Sequence, residues 1–272
     1  MPALNLHLGV KTDPIEYRYS FPWLFRLLGD LGIRHVQLGS FFEIYQLPDA
    51  FFEQLRVQAD DHGVRIASLF TAHRELGGFF RDEPGFVDVA RRNFERFIEV
   101  GGILGADSVG SNPGAVLRDR MDLKAQGVSC YLDHMKQLMA HAKACGVDWL
   151  TIEPMSCLAE PPRVPDEIRE FADVLIAHHQ ANPDTTARVG HCVDIAHGYA
   201  DADGRVVHDH IAPLESTLPY LSELHLKNTD GMFNSTFGFG EAERQRGIID
   251  VEQTRDLLLD HADTIPVTDL IC

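Results

Sequence analysis

Three short apolar runs in this chain each end on a residue able to hold a cation or move a proton. The clearest is Arg188 to His197, RVGHCVDIAH, in which Val189 to Val193 reads as a buried strand, Asp194 closes it and His197 follows shortly after. Upstream, Thr151-Ile152 runs into Glu153 and Pro154; downstream, Glu223-Leu224 runs into His225, Leu226 and Lys227. Glu153, Asp194 and His225 thus recur roughly one strand–helix unit apart. Two carboxylates and an imidazole delivered from strand tips suit one divalent metal, Mn²⁺, Mg²⁺, Co²⁺ or Zn²⁺, and this mixed donor set does not select among them. The same groups are equally fitted to proton transfer.

Positioning such tips requires a chain that repeats strand and helix. Apolar runs predict strands over 4–10, 33–38, 64–70, 107–110, 149–153, 189–193 and 224–227. Amphipathic stretches fall between them, such as 21–32 with Leu24, Leu27, Leu28 and Leu31 on one face. Short loops and the lack of a Pro-rich linker predict an α/β fold of one domain, 1–272, closed as a (β/α)8 TIM barrel. An open doubly wound sheet would ordinarily bring a glycine-rich phosphate turn after strand one, whereas this chain has Gly9-Val10-Lys11-Thr12 and no GxGxxG. The pattern stops after a helix over 250–262. The tail from Thr264 to Cys272 leaves the last β/α unit unaccounted for, so the expected barrel is C-terminally incomplete, with strand edges left open. Active residues of such barrels sit at the C-terminal strand ends, a position that also draws in His7, His73 and Asn112.

With 24 basic against 41 acidic residues the formal charge is −17. That balance argues against a protein that grips the phosphate backbone of nucleic acid. Five cysteines, an odd number without a CxxC, are expected to be reduced thiols in a reducing, cytoplasmic setting. The N-terminal residues lack the basic segment and cleavage site of a secretory signal, and no apolar window is long enough to predict a membrane span.

Four segments together resemble the xylose-isomerase-like TIM-barrel family of sugar and sugar-phosphate isomerases and epimerases. They are IEPM with Glu153, the D-x-x-H of Asp194 to His197, HLKNTDG from His225, and GFGEAERQRGIID from Gly238. The resemblance spans essentially the whole chain. It implies that Glu153 is both metal ligand and acid/base group, and that Asp194 and His225 are further ligands. His197 and Glu160 would hydrogen-bond substrate hydroxyls, His73 would line the pocket, and Lys227 with the loop 238–247 would meet a phosphate or distal hydroxyls. The family's fourth ligand, a glutamate on strand eight, has no counterpart after Glu252. The implied activity is that of a divalent-metal-dependent isomerase or epimerase of a short ketose or ketose phosphate, with 3-epimerisation favoured. It would work by proton abstraction beside a carbonyl through a metal-stabilised enediolate. An inosose-type dehydratase on the same metal, or a non-catalytic sugar- or partner-binding barrel, is the alternative. The expected partner is a small sugar or sugar phosphate, with no nucleic acid and no membrane; a homodimer is the default assembly.

Overall fold

The computed structural model describes residues 4–72 and 75–272. Its main sheet contains β1 (Asn5–His7), β2 (Gly9–Lys11), β3 (His35–Gly39), β4 (Arg65–Thr71), β5 (Ser108–Ser111), β6 (Trp149–Ile152) and β7 (Arg188–Asp194). A small antiparallel hairpin, β8 (Tyr199–Ala200) with β9 (Val206–His208), follows. The sheet is completed by β10 (Leu221–His225) and β11 (Asp269–Ile271), in the order β1-β11-β10-β7-β6-β5-β4-β3-β2. Every pairing in it is parallel. Only Leu8 separates β1 from β2, so both ends of the row belong to one N-terminal segment and the sheet curls into a nearly closed barrel.

The helices α1 (Phe21–Asp30), α2 (Asp49–Asp60), α3 (Pro84–Leu104), α4 (Lys124–Ala144), α5 (Pro165–Ala181), α6 (Ile211–Thr217), α7 (Glu241–Arg246) and α8 (Val251–Asp260) connect these strands. Local chemistry sets their ends. Pro84 opens α3, and Gly105 stops it in the left-handed region at φ 70°. Asp250 caps α8 by accepting the N–H groups of Glu252 and Gln253 at 2.9 and 3.1 Å. Helix α4 carries Gly127 in its first turn, where the chain meets Phe80. A Cβ there would lie 2.6 Å from the Phe80 ring, so the glycine lets the helix pack directly on that side chain.

The barrel class is as the sequence predicts, and the last unit is corrected in one respect. Its strand is present. Residues 269–271 pair with Asn5, Leu6 and His7 on one side and, through Ile271, with Glu223 on the other. Backbone bonds from Asn5 N to Thr268 O (2.8 Å), Cys272 N to His7 O (2.8 Å) and Gly9 N to Cys272 O (2.9 Å) stitch this seam. Three residues are too few for an alternating pattern to register, which is why the sequence hides the strand. His7 belongs to the same seam, with Nε2 2.8 Å from Asp269 Oδ1.

Two apolar clusters support the ring. The larger joins α1 to α5 with β3 to β7, through residues such as Phe25, Phe52, Phe97, Tyr131 and Phe171. The smaller gathers Val193, Leu214, Leu221, Leu224, Leu258 and Leu270 under α6 and α8. Leu270 is fully buried and is the apolar anchor of β11. Leu270→Ala is therefore expected to cost about 2–5 kcal/mol, whereas Leu31→Ala, at a residue 64% exposed, should change stability by less than about 0.5 kcal/mol. Urea unfolding of both variants reads this directly; equal midpoints would show that the seam does not rest on Leu270.

Candidate metal centre

Parallel strands bring their C-terminal ends to one face, and the chemistry-bearing residues collect there. Glu153 follows β6 and extends its pairing, with its N–H donating to Ser111 O at 3.2 Å. Asp194 is the last residue of β7 and stands in register with His225, the last of β10. The chain then turns, His197 N–H bonding to Asp194 O at 3.1 Å, which folds the imidazole back over the carboxylate. Glu153, Asp194 and His197 each place one donor atom within 4.8 Å of the other two. His225 joins from the side, its Nδ1 3.0 Å from Glu153 Oε1 and its ring edge-on to Phe70 at 4.9 Å.

Both imidazoles are held from behind. His197 Nδ1 lies 2.7 Å from Pro154 O; a carbonyl only accepts, so Nδ1 carries the proton and Nε2 faces inward, 3.4 Å from Asp194 Oδ2. His225 Nε2 lies 2.8 Å from Gln37 Oε1, which turns Nδ1 toward Glu153. Two inward ring nitrogens thus confront two carboxylates. Acceptor facing acceptor is tolerated only with a proton or a cation between them, and imidazoles tied on their outer nitrogen to an oxygen are the usual form of metal-ligating histidine. The donor set fits a divalent cation.

The electrostatics point the same way. Burial alone would raise the Asp194 carboxyl, but the charges of His197 and Lys227 outweigh it and hold the group well below the usual carboxylate range. Glu153 is likewise lowered against the cost of burial, by His197 and by its hydrogen bond with His225. His197 and Lys227 are both raised, since the neighbouring carboxylates exceed the burial penalty on their own charges. Lys227 Nζ sits 2.5 Å from Asp194 Oδ2, and Asp194 Oδ1 accepts the Ala196 N–H at 3.0 Å.

The remaining expected residues fall differently. Glu160 lies in the loop after β6, its N–H bonded to Cys157 O at 2.9 Å. Among the described residues no hydrogen bond ties its carboxylate to Glu153, Asp194 or His197. His73 lies outside the described residues. The amides of Gly238 and Gly240 are taken by the Glu243 carboxylate at 3.3 and 2.8 Å, so this loop supplies its own anion. Two residues come to the site or below it without any sequence signal. Gln37, inside β3, orients His225. Glu223, inside β10, is buried in the barrel interior, where Ser108 and Thr151 donate to it at 2.9 and 3.4 Å. Gln37, Glu223, His225 and Lys227, with Lys11 and Phe239, line a cavity of about 320 Å³ beside the cluster.

A parallel β/α barrel with carboxylates and imidazoles at its strand tips defines a class of protein, and the comparison with known families agrees. Residues 25–268 match the family described as xylose isomerase-like TIM barrel, and the chain belongs to it. Solved structures share the fold at low identity. A xylose isomerase candidate from Rhodospirillum rubrum superposes with a TM-score of 0.78 at 18% identity, over 98% of this chain and 90% of that one. A D-psicose 3-epimerase from Clostridium cellulolyticum, solved with D-tagatose, gives 0.72 at 13% identity, over 97% and 83%. A 3-keto-D-glucoside 4-epimerase from E. coli gives 0.67 at 12%, over 98% and 92%. None of the curated proteins matches the sequence.

Burial raises the Glu223 carboxyl above its ordinary value of 4.5 despite its hydroxyl partners. Ionising it therefore opposes folding. Stability is unaffected below pH 4.5, declines as the pH rises above that value, and levels off once the folded group has ionised. Glu223→Gln, neutral throughout, removes this decline. Urea unfolding at mildly acidic and at slightly alkaline pH should show the variant gaining on the wild type only at the upper pH; parallel profiles would contradict the assignment.

Proposed function

We propose that the chain is a divalent-metal-dependent isomerase or epimerase of a short ketose or ketose phosphate. The observation that carries this reading is the pair of inward ring nitrogens, His197 Nε2 and His225 Nδ1, set against the Glu153 and Asp194 carboxylates. Glu153, Asp194 and His225 would hold the metal. His197 Nε2, grouped with the two carboxylates, would be a further ligand. When bound, the metal supplies Lewis-acid polarisation of a carbonyl and its neighbouring oxygen.

The chain's own groups account for the rest of the reaction. Glu153 is ionised at neutral pH because its pKa is lowered, so it is the base that takes the proton from the carbon beside the carbonyl. Its partner His225, anchored by Gln37, keeps that carboxylate from rotating away. Asp194 is the fixed carboxylate, since Ala196 N–H and Lys227 already engage both of its oxygens. Lys227, which lines the cavity, is the donor to a substrate oxygen. Aldose–ketose interconversion needs one base, which Glu153 provides. The net charge of −17 leaves nucleic acid out of this reading. The five free thiols support a reducing, cytoplasmic setting, and no helix among the described residues is long and apolar enough to cross a membrane.

The test is deuterium incorporation from D₂O into carbon-bound positions of a panel of ketoses and ketose phosphates, with Mn²⁺ present. At least one sugar should exchange. Glu153→Gln should slow that exchange by about 10²–10⁴-fold, the usual contribution of a positioned base. Exchange as fast in the variant as in the wild type would remove Glu153 from the chemistry, and no exchange with any sugar would sink the reaction class.

A further inference from the structure

Asp194 offers one oxygen, Oδ2, to two different positive groups: His197 Nε2 faces it at 3.4 Å, and Lys227 Nζ touches it at 2.5 Å. The two ends of the Lys227–Asp194 pair are unequal. The carboxylate side chain is 1% exposed and pinned through Oδ1 by the Ala196 N–H, whereas the lysine side chain is 38% exposed. Lysine is a single charge on a flexible four-carbon stem, and the cavity of about 320 Å³ that it lines gives the ammonium somewhere to go. Glu153 and Asp194 carry two negative charges, which Lys227 and a protonated His197 match while no metal is bound. A divalent cation at the trio would match both and leave the ammonium in surplus, crowded against a second cation on the same oxygen.

We propose that Lys227 is a displaceable internal counter-ion. It occupies Asp194 Oδ2 while the site holds no metal, keeps the carboxylate in its ligating orientation, and is expelled into the adjoining cavity when a divalent cation enters. This rests on reading Glu153, Asp194 and the two histidines as a metal site. Its consequence is that the native protein binds metal more weakly than its ligands allow, in exchange for a metal-free site that does not collapse or fray. The released ammonium then faces the cavity, so the group that met a substrate oxygen in the scheme above becomes free only after metal has bound.

Mn²⁺ titrated calorimetrically into metal-free wild type, Lys227→Met and Lys227→Gln, together with thermal unfolding of each metal-free protein, tests this. With the competitor gone, both variants should bind Mn²⁺ at least tenfold more tightly. Their metal-free forms should melt several degrees below the wild type, because Asp194 has lost its counter-ion, and saturating Mn²⁺ should largely close that gap. Using two neutral replacements guards against one of them folding poorly. Equal or weaker Mn²⁺ binding in both variants overturns the counter-ion role and leaves the metal site standing. Failure of all three proteins to bind Mn²⁺ overturns the metal site, and the counter-ion role falls with it.

Discussion

Two carboxylates buried side by side are the constraint around which the mouth of this barrel is built. Glu153 and Asp194 are each less than a tenth exposed, and an ionised carboxylate without a partner is expensive to bury. Proteins commonly escape by shifting such a group toward its neutral form, the direction in which burial moves Glu223 lower in the same barrel. Glu153 and Asp194 do the opposite and remain charged. Positive groups must therefore be supplied. The nearby imidazoles, the ammonium of Lys227 and the peptide N–H of Ala196 are all aimed at this one requirement.

The scaffold meets it through backbone geometry. Parallel strands place β6, β7 and β10 with their last residues on one face, and the β7–β10 register sets Asp194 beside His225. Outer contacts then fix the rotation of each ring: Pro154 O behind His197, and Gln37 behind His225. Gln37 comes from the opposite side of the sheet order, so its contact with His225 spans the barrel interior and depends on closure. The thin seam at β11 is thus relevant to the site as well as to stability. Loss of Leu270 packing would loosen the ring that holds Gln37 against β10.

The sequence shows the parts of this arrangement that repeat and conceals those that depend on contact across the ring. Glu153, Asp194 and His225 each end an apolar run at similar intervals, so their residue types and spacing mark them out before any coordinates exist. The strand–helix alternation also survives, with the strands that carry these residues close to where the apolar runs put them. Gln37 is a polar residue inside a strand, indistinguishable in sequence from any barrel-lining amide, because its partner is 188 positions away. Glu223 precedes His225 in a run that looks half exposed, and only closure of the barrel buries it. Strand β11 and the β8–β9 hairpin are too short for periodicity to reveal. His197 stands out in the sequence as part of a D-x-x-H spacing, but its inward nitrogen follows from the Pro154 carbonyl behind it, a feature of the loop's path alone.

On the reading proposed above, the carboxylates and inward imidazole nitrogens at the strand tips enclose a single cation position. The most direct measurement is an anomalous difference map from a crystal of the protein soaked in MnCl₂, collected where manganese scatters strongly. One dominant peak is expected within coordination distance of Glu153, Asp194 and His225, on the side that His197 Nε2 faces, with Lys227 withdrawn from Asp194. Crystals that take up no manganese there, or place it elsewhere while Lys227 stays on Asp194, would contradict it.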